Sequence, residues 1–288
     1  MKIALIKWDA EWLRVTLLAA FLIAAPQRGK AHGETLIQIA ATTRQIESAT
    51  NNAAHLYLQR GELYREHQDW VAAEADYARA ANLNPKLVAV DICRAGMLAD
   101  SGELEAAEAL FDKVIARSKD EGEAFIGRAR VLMKVNQPQA AVPDFQRGLE
   151  LLQHPQPEYF LELAQALVGD RKVDAALLSL DAGMRKFGPI FPLQGYALDL
   201  ELERQNTEAA LVRLDSIIEL MTRKESWLAR RGDILLAAGR SEEAQKSYRA
   251  ALKSIDLLPP RLQQSPSMVE LQARVHAVLE TFKRPAQK

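Results

Sequence analysis

Alanine returns at Ala73, Ala107, Ala141, Ala176, Ala210 and Ala244, at steps of 34 residues with a single step of 35. A period of that length leaves few architectures open. Small supersecondary units must stack so that each touches only its neighbours, burying a continuous core and presenting a long surface. The alanine is one of several positions that return in step. Frames opening at Ala54, Val88, Gly122, Pro157, Phe191 and Glu225, with Gln156 as the one extra residue, put Gly61, Ala95, Ala129, Ala164, Leu198 and Gly232 at the eighth position. The eleventh holds Tyr64, Leu98, Leu132, Leu167, Glu201 and Leu235, and the twenty-fourth Tyr77, Phe111, Phe145, Leu180, Leu214 and Tyr248. Small groups at fixed places opposite bulky ones are what two closely packed helices require. The eighth and twentieth positions are expected to be the holes, and the fold all-helical.

Between the helices of each unit, the fifteenth and sixteenth positions carry Gln68-Asp69, Gly102-Glu103, Asn136-Gln137, Arg171-Lys172, Gln205-Asn206 and Gly239-Arg240, polar or glycine pairs suited to a tight turn. Asp69 and Ser241 with Glu243 are expected to cap the helices that follow them. Pro138 suits the entry to a helix, whereas Pro143 removes a backbone donor and is expected to bend that helix.

This set of positions resembles the tetratricopeptide repeat family, whose unit is a helix-turn-helix of 34 residues. The first unit, with Gly61, Tyr64, Ala73, Tyr77, Ala80 and Pro85, and the sixth, with Gly232, Leu235, Ala244, Tyr248 and Ala251, carry the likeness best. The second and third have Lys119 and Gln153 in place of the closing proline. The fifth departs most, with Leu198 and Glu201 where a small and a large apolar residue belong. The resemblance implies a right-handed α-solenoid of about six repeats, at 54–87, 88–121, 122–155, 157–190, 191–224 and 225–258, with capping helices at both ends.

The termini complete the plan. Lys2, Lys7 and Arg14 flank an apolar run from Leu17 to Ala25, followed by Pro26 and by small residues up to Ala31, the pattern of an export signal over residues 1–31. Nine apolar residues are too few to span a bilayer, so cleavage is the favoured outcome and a membrane anchor through residues 12–25 the alternative. Residues 32–53 then form an N-terminal cap, with Leu36, Ile39 and Ile46 on one face of a helix ending at Asn51-Asn52. In residues 259–288, Pro259-Pro260 stops the last repeat. Ser267 and Glu270 have capping-box spacing, and Met268, Leu271, Val275, Leu279 and Phe282 follow at helical spacing, so a final helix is expected to cover the sixth repeat.

Composition narrows the chemistry. Removing the signal would leave 32 basic against 36 acidic residues, a net charge of about −4, which is not the balance of a nucleic-acid binder. Cys93 is the only cysteine, so no internal disulfide forms, and no cysteine follows the apolar run where a lipid anchor would need one. The five histidines show no metal-ligand spacing, and no phosphate loop or nucleophile elbow occurs. Acidic pairs such as Glu242-Glu243 and Glu62 with Glu66 read as solvated helix faces with nothing to position them. No catalytic residue, metal or cofactor is therefore expected, and the chain is expected not to be an enzyme.

In the family it resembles, the first helix of each unit lines a concave groove, chiefly through its second, fifth, ninth, twelfth and thirteenth residues. Carried over here, that implies a partner-binding surface of Glu62, Arg65, Glu66, Arg130, Met133, Lys134, Gln165, Asp199, Glu203 and Asp233. The ninth positions lack the lysine and asparagine by which some relatives clamp a terminal carboxylate. Charge alternates along the surface, suiting an extended peptide of patterned charge. The expected function is an exported, periplasmic or extracellular, non-enzymatic scaffold that holds a protein or extended peptide. Membrane contact is expected only if the signal is uncleaved. A self-associating subunit of an envelope complex is the alternative.

Overall fold

A computed structural model describes residues 25–49 and 53–282, with side chains from 33 onward in the first of these stretches. Among them are 15 α-helices and no strand. They fall into two compact units meeting at Leu152 and Gln153.

The first unit holds α1 (Ala25–Ser48) and three hairpins: α2 (Ala54–Glu66) with α3 (Trp70–Leu83), α4 (Val88–Ser101) with α5 (Leu104–Arg117), and α6 (Gly122–Lys134) with α7 (Pro138–Leu151). The second holds α8 (Pro157–Gly169) with α9 (Val173–Phe187), α10 (Phe191–Glu203) with α11 (Thr207–Leu220), and α12 (Glu225–Ala237) with α13 (Ser241–Asp256). It closes with the short α14 (Pro260–Gln263) and α15 (Pro266–Thr281). Each hairpin packs on the next within its unit, the second helix of one against the first of the other. The expected signal segment lies largely outside the described residues, and its end overlaps α1; Asn51-Asn52 also lies outside them.

All six alanines of the twentieth position are fully buried. The eighth-position glycines are holes in the literal sense. A Cβ on Gly61 would stand 2.6 Å from the Tyr77 ring, and one on Gly232 2.6 Å from the Tyr248 ring. Both tyrosines are fully buried, so the hole and the ring that fills it specify each other.

The turn within every hairpin is the same. Position fifteen is left-handed in all six: Gln68, Gly102, Asn136, Arg171, Gln205 and Gly239 have φ between 59° and 92°. The following amide closes back on the eleventh residue, as in Glu103 to Leu98 (2.8 Å) and Lys172 to Leu167 (2.8 Å), which satisfies a carbonyl left over at the helix end. Only two of the six are glycine. The others adopt a conformation that costs an L-residue roughly 1–2 kcal/mol, so stacking of the hairpins must hold them there.

Several local expectations are corrected. Asp69 does cap α3, accepting from the Ala72 amide at 3.1 Å. Ser241 does not cap α13: it lies inside the helix, and Glu243 instead binds the Arg240 guanidinium at 2.6 and 2.7 Å. The Ser267–Glu270 box is also unmade, because α15 begins earlier, at Pro266, with Ser265 before it. On α1 the inward residues are Ile39 and Thr42, while Leu36 is half exposed. Pro143 is accommodated within the unbroken span of α7. At the other end Val275 is fully buried against Tyr248 and Ala251, with Leu271, Leu279 and Phe282 packed beside it, so α15 covers the sixth repeat.

Candidate functional site

The residues that line up along the first helices are used differently in the two units. In the first, they are tied to one another. Arg65 donates to Glu62 (2.8 Å) and reaches the next repeat to bind Asp100 (2.7 Å). Lys134, one repeat further, donates to the same Asp100 (3.2 Å) and to the Ala99 carbonyl (2.7 Å). Glu62 also accepts the hydroxyl of the buried Tyr77. It is therefore a positioned carboxylate and not the loosely solvated one that its surface pattern suggests. Burial first, and then this carboxylate, hold the Tyr77 phenol well above its ordinary range and push the Cys93 thiol up to about 12. Glu66 and Arg130 are exposed and Met133 half-buried on the same helices.

Behind this ladder runs a second one that the sequence reading missed. Arg60 binds Asp76 through two bonds of 2.7 and 2.8 Å, and Arg128 binds Asp144 through two of 2.7 Å. Both pairs lie sixteen residues apart, linking the seventh position of a first helix to the twenty-third of the second. Arg128 also reaches Asp112 of the preceding repeat at 2.6 Å, which ties neighbouring hairpins together. The recurring arginine at Arg60, Arg94, Arg128 and Arg231 was the available signal. The Arg60–Asp76 pair is nearly enclosed, at 12% and 4% side-chain exposure. Its bidentate geometry makes each charge tolerable only in the presence of the other.

In the second unit, the first helices α8, α10 and α12 leave a cleft of about 300 Å³. That lies at the low end of the range for ligand-sized pockets, roughly 300–1,000 Å³. Phe191, Tyr196 and Trp227 line it with Leu161 and Leu198, and Gln165, Asp199 and Arg230 supply its polar groups. The Phe191 and Trp227 rings meet edge to face with centroids 5.6 Å apart. Arg230 lies 6.0 Å from the Trp227 ring centre and donates to Asp199 at 2.9 Å, so the cleft's two charges cancel. Burial, and then Glu203 and Asp199, raise the Tyr196 phenol above its ordinary range and keep it a hydrogen-bond donor.

Gly195 helps to open this cleft. The fifth position of the frame carries Leu58, Ile92, Ile126 and Leu161 in the first four repeats, and glycine in the fifth. The other glycine holes are filled by packed side chains. A Cβ on Gly195 would meet only the Phe191 ring, at 3.9 Å. Helix packing therefore does not demand this glycine, which weakens α10 by about 1 kcal/mol relative to alanine.

Of the ten expected groove residues, the cleft brings together Gln165 and Asp199. Glu203 is exposed further along α10. Asp233 is occupied, accepting from the Tyr248 hydroxyl (2.7 Å) and from Arg274 of α15 (2.9 Å). Phe191, Tyr196, Trp227 and Arg230 were not anticipated, although the second and fifth positions named by the groove rule include Pro192, Gly195 and Leu161 beside them. Among the described residues, no group of three histidine, cysteine or acidic side chains could hold a metal.

The sequence profile described as tetratricopeptide repeat matches residues 228–255, spanning most of the sixth hairpin. By this profile the sixth hairpin is a tetratricopeptide repeat. The hairpins, with their shared turn and buried alanines, extend the pattern well beyond the matched segment. No curated protein is matched by sequence. Solved structures match by shape. The C-terminal part of a tetratricopeptide repeat protein from Cytophaga hutchinsonii gives a TM-score of 0.57 at 15% identity, covering 78% of this chain and 95% of its own. PilW, described as a widely conserved type IV pilus biogenesis factor, gives 0.53 at 16% identity, with 79% and 100% covered. YrrB, described as having an unusual peptide-binding site, gives 0.51 at 18% identity, with 69% and 97% covered. Identities this low establish the fold and nothing finer.

Proposed function

We propose that this tetratricopeptide repeat protein is a non-enzymatic scaffold that holds an extended segment of a partner protein against the first helices of its second unit. The observation that carries the reading is the aromatic cleft: exposed Phe191 and half-buried Trp227 beside Gln165 form the kind of apolar anchor site, with a few placed polar groups, at which binding energy concentrates. YrrB, by its description, binds peptide on the same fold, which is in keeping with this use. The proposal includes export. Its support is the basic and apolar pattern of residues 1–31, and among the described residues no helix is long and apolar enough to cross a membrane.

The test is site-specific photocrosslinking in the full chain, with the crosslinker at Gln165 and, for comparison, at Leu178 on a second helix. The expected result is a heterologous adduct from Gln165 that disappears with Trp227→Ala. Adducts from Leu178 alone, or with a second copy of the chain alone, would overturn it in favour of self-association. That second reading is supported by Leu178 and Val212, which occupy the same frame position in successive repeats and are 65% and 67% exposed.

A further inference from the structure

We propose that the cleft between α8, α10 and α12 is a recognition site for a proline-containing segment in the extended polyproline II conformation; this rests on the scaffold reading above. Three observations favour that ligand over other peptides. The first is the balance of hydrogen-bonding groups. Neither the Tyr196 hydroxyl nor the Trp227 indole N–H donates to another of the described residues, although both residues line the cleft, so two donors are unspent. A polyproline II strand offers acceptors in excess. Its carbonyls make no internal bonds, and each proline removes an N–H that would otherwise need a partner in the cleft.

The second is charge. Asp199 and Arg230 neutralise each other at 2.9 Å, and Arg230 already takes a place beside the Trp227 ring. A cationic ligand would have to displace Arg230, and an acidic one would have to displace Asp199. An uncharged ring displaces neither. The third is Gly195. A helix interior that keeps glycine without a packing reason leaves room for another backbone to come close. The prolyl strand suits that approach because its conformation is set before binding, which lowers the entropy lost on docking against aromatic rings.

The experiment is isothermal titration of the full chain with acetyl-(Pro)10-amide, compared with Gly/Ser, leucine-containing and arginine-rich peptides of the same length. Saturable binding of the prolyl peptide is expected, at least tenfold tighter than the others. Gly195→Leu, which fills the cleft, should weaken it tenfold or more. Gly195→Ala adds one methyl and tests the same contact if the leucine variant fails to fold. Trp227→Phe, which keeps a ring and removes the N–H, should weaken prolyl binding several-fold. Binding of the leucine or arginine peptide in preference, with the same dependence on Gly195, would overturn the proline assignment and leave the scaffold reading standing. Prolyl binding indifferent to Gly195 and Trp227 would overturn the site. No binding by any peptide, together with no heterologous adduct at Gln165, would overturn both.

Discussion

The first helices of the two units carry similar frames to opposite ends. In the first unit the ninth, twelfth and thirteenth positions are spent on one another, as Glu62–Arg65–Asp100–Lys134 run across three repeats. In the second unit Asp199 pairs with Arg230 at the edge of an aromatic cleft. The difference is decided by neighbours, not by the groove positions themselves. Where the twenty-fourth position is tyrosine, as in Tyr77 and Tyr248, its hydroxyl claims the acid at the ninth, Glu62 or Asp233. In the fifth repeat that position is Leu214, and Asp199 is left to the surface. An exposed position in a repeat protein is available to a partner only if neither its own repeat nor an adjacent one has already used it.

The most demanding way to break this comparison is the reactivity of Cys93. With its thiol pushed up to about 12, it should hold about a thousandfold less thiolate near neutral pH than an ordinary cysteine. Alkylation of the native chain should be correspondingly slow and should accelerate on unfolding; native reactivity at the ordinary rate would mean that the Glu62 cluster is open. The sign of the accompanying pH effect follows. The protonated thiol is favoured in the folded state, so this contribution is full below the unfolded pKa near 8.5 and is lost as pH rises towards 12.

Next in size is the buried ladder of the first unit. Asp76→Ala strands Arg60 and should cost about 3 kcal/mol in denaturant unfolding. At the equivalent position of the fourth repeat, Ser179→Ala loses a single 3.1 Å bond to the Phe160 carbonyl and should cost about 1 kcal/mol. Equal losses would erase the contrast between the ion-paired and the hydroxyl-bonded forms of this position. At the turns, Arg171→Gly should stabilise the fourth hairpin by up to about 1 kcal/mol through relief of its left-handed strain; a loss of stability would show that stacking contacts of the arginine outweigh it.

Gly195→Ala sharpens the comparison from the other side. It should stabilise the fold by about 1 kcal/mol of helix propensity, read as a slightly higher melting temperature, while weakening ligand capture, a split that packing alone does not produce. The smallest effect is expected for charge reversal of Arg130 and Lys134. The groove rule places these residues on the partner-binding surface, where their reversal would weaken capture and leave stability untouched. The tie from Lys134 to Asp100 instead predicts a loss of roughly 0.5–1 kcal/mol, with capture at Gln165 unchanged. Loss of that capture would return the binding surface to the first unit.

The spacing of Ala73 to Ala244 determined the hairpins, their number and their register, because a small residue opposite a bulky one every 34 positions has one packing solution. It also located the turns, although not their handedness at Gln68, Arg171 and Gln205, where the local preference is overridden by stacking. The cap at Ser241 and the capping box at Ser267 were misread because a short polar pattern does not say where a helix begins. Glu201 looked like a defect of the fifth repeat and is a buried carboxylate that accepts from Asn206 at 3.0 Å. The sequence by itself thus settles a local, periodic geometry. Which of its exposed side chains are already partnered, and that Gly195 meets only the Phe191 ring at 3.9 Å where Gly61 and Gly232 press on tyrosine rings, depend on contacts between residues far apart in the chain, and only the tertiary structure decides them.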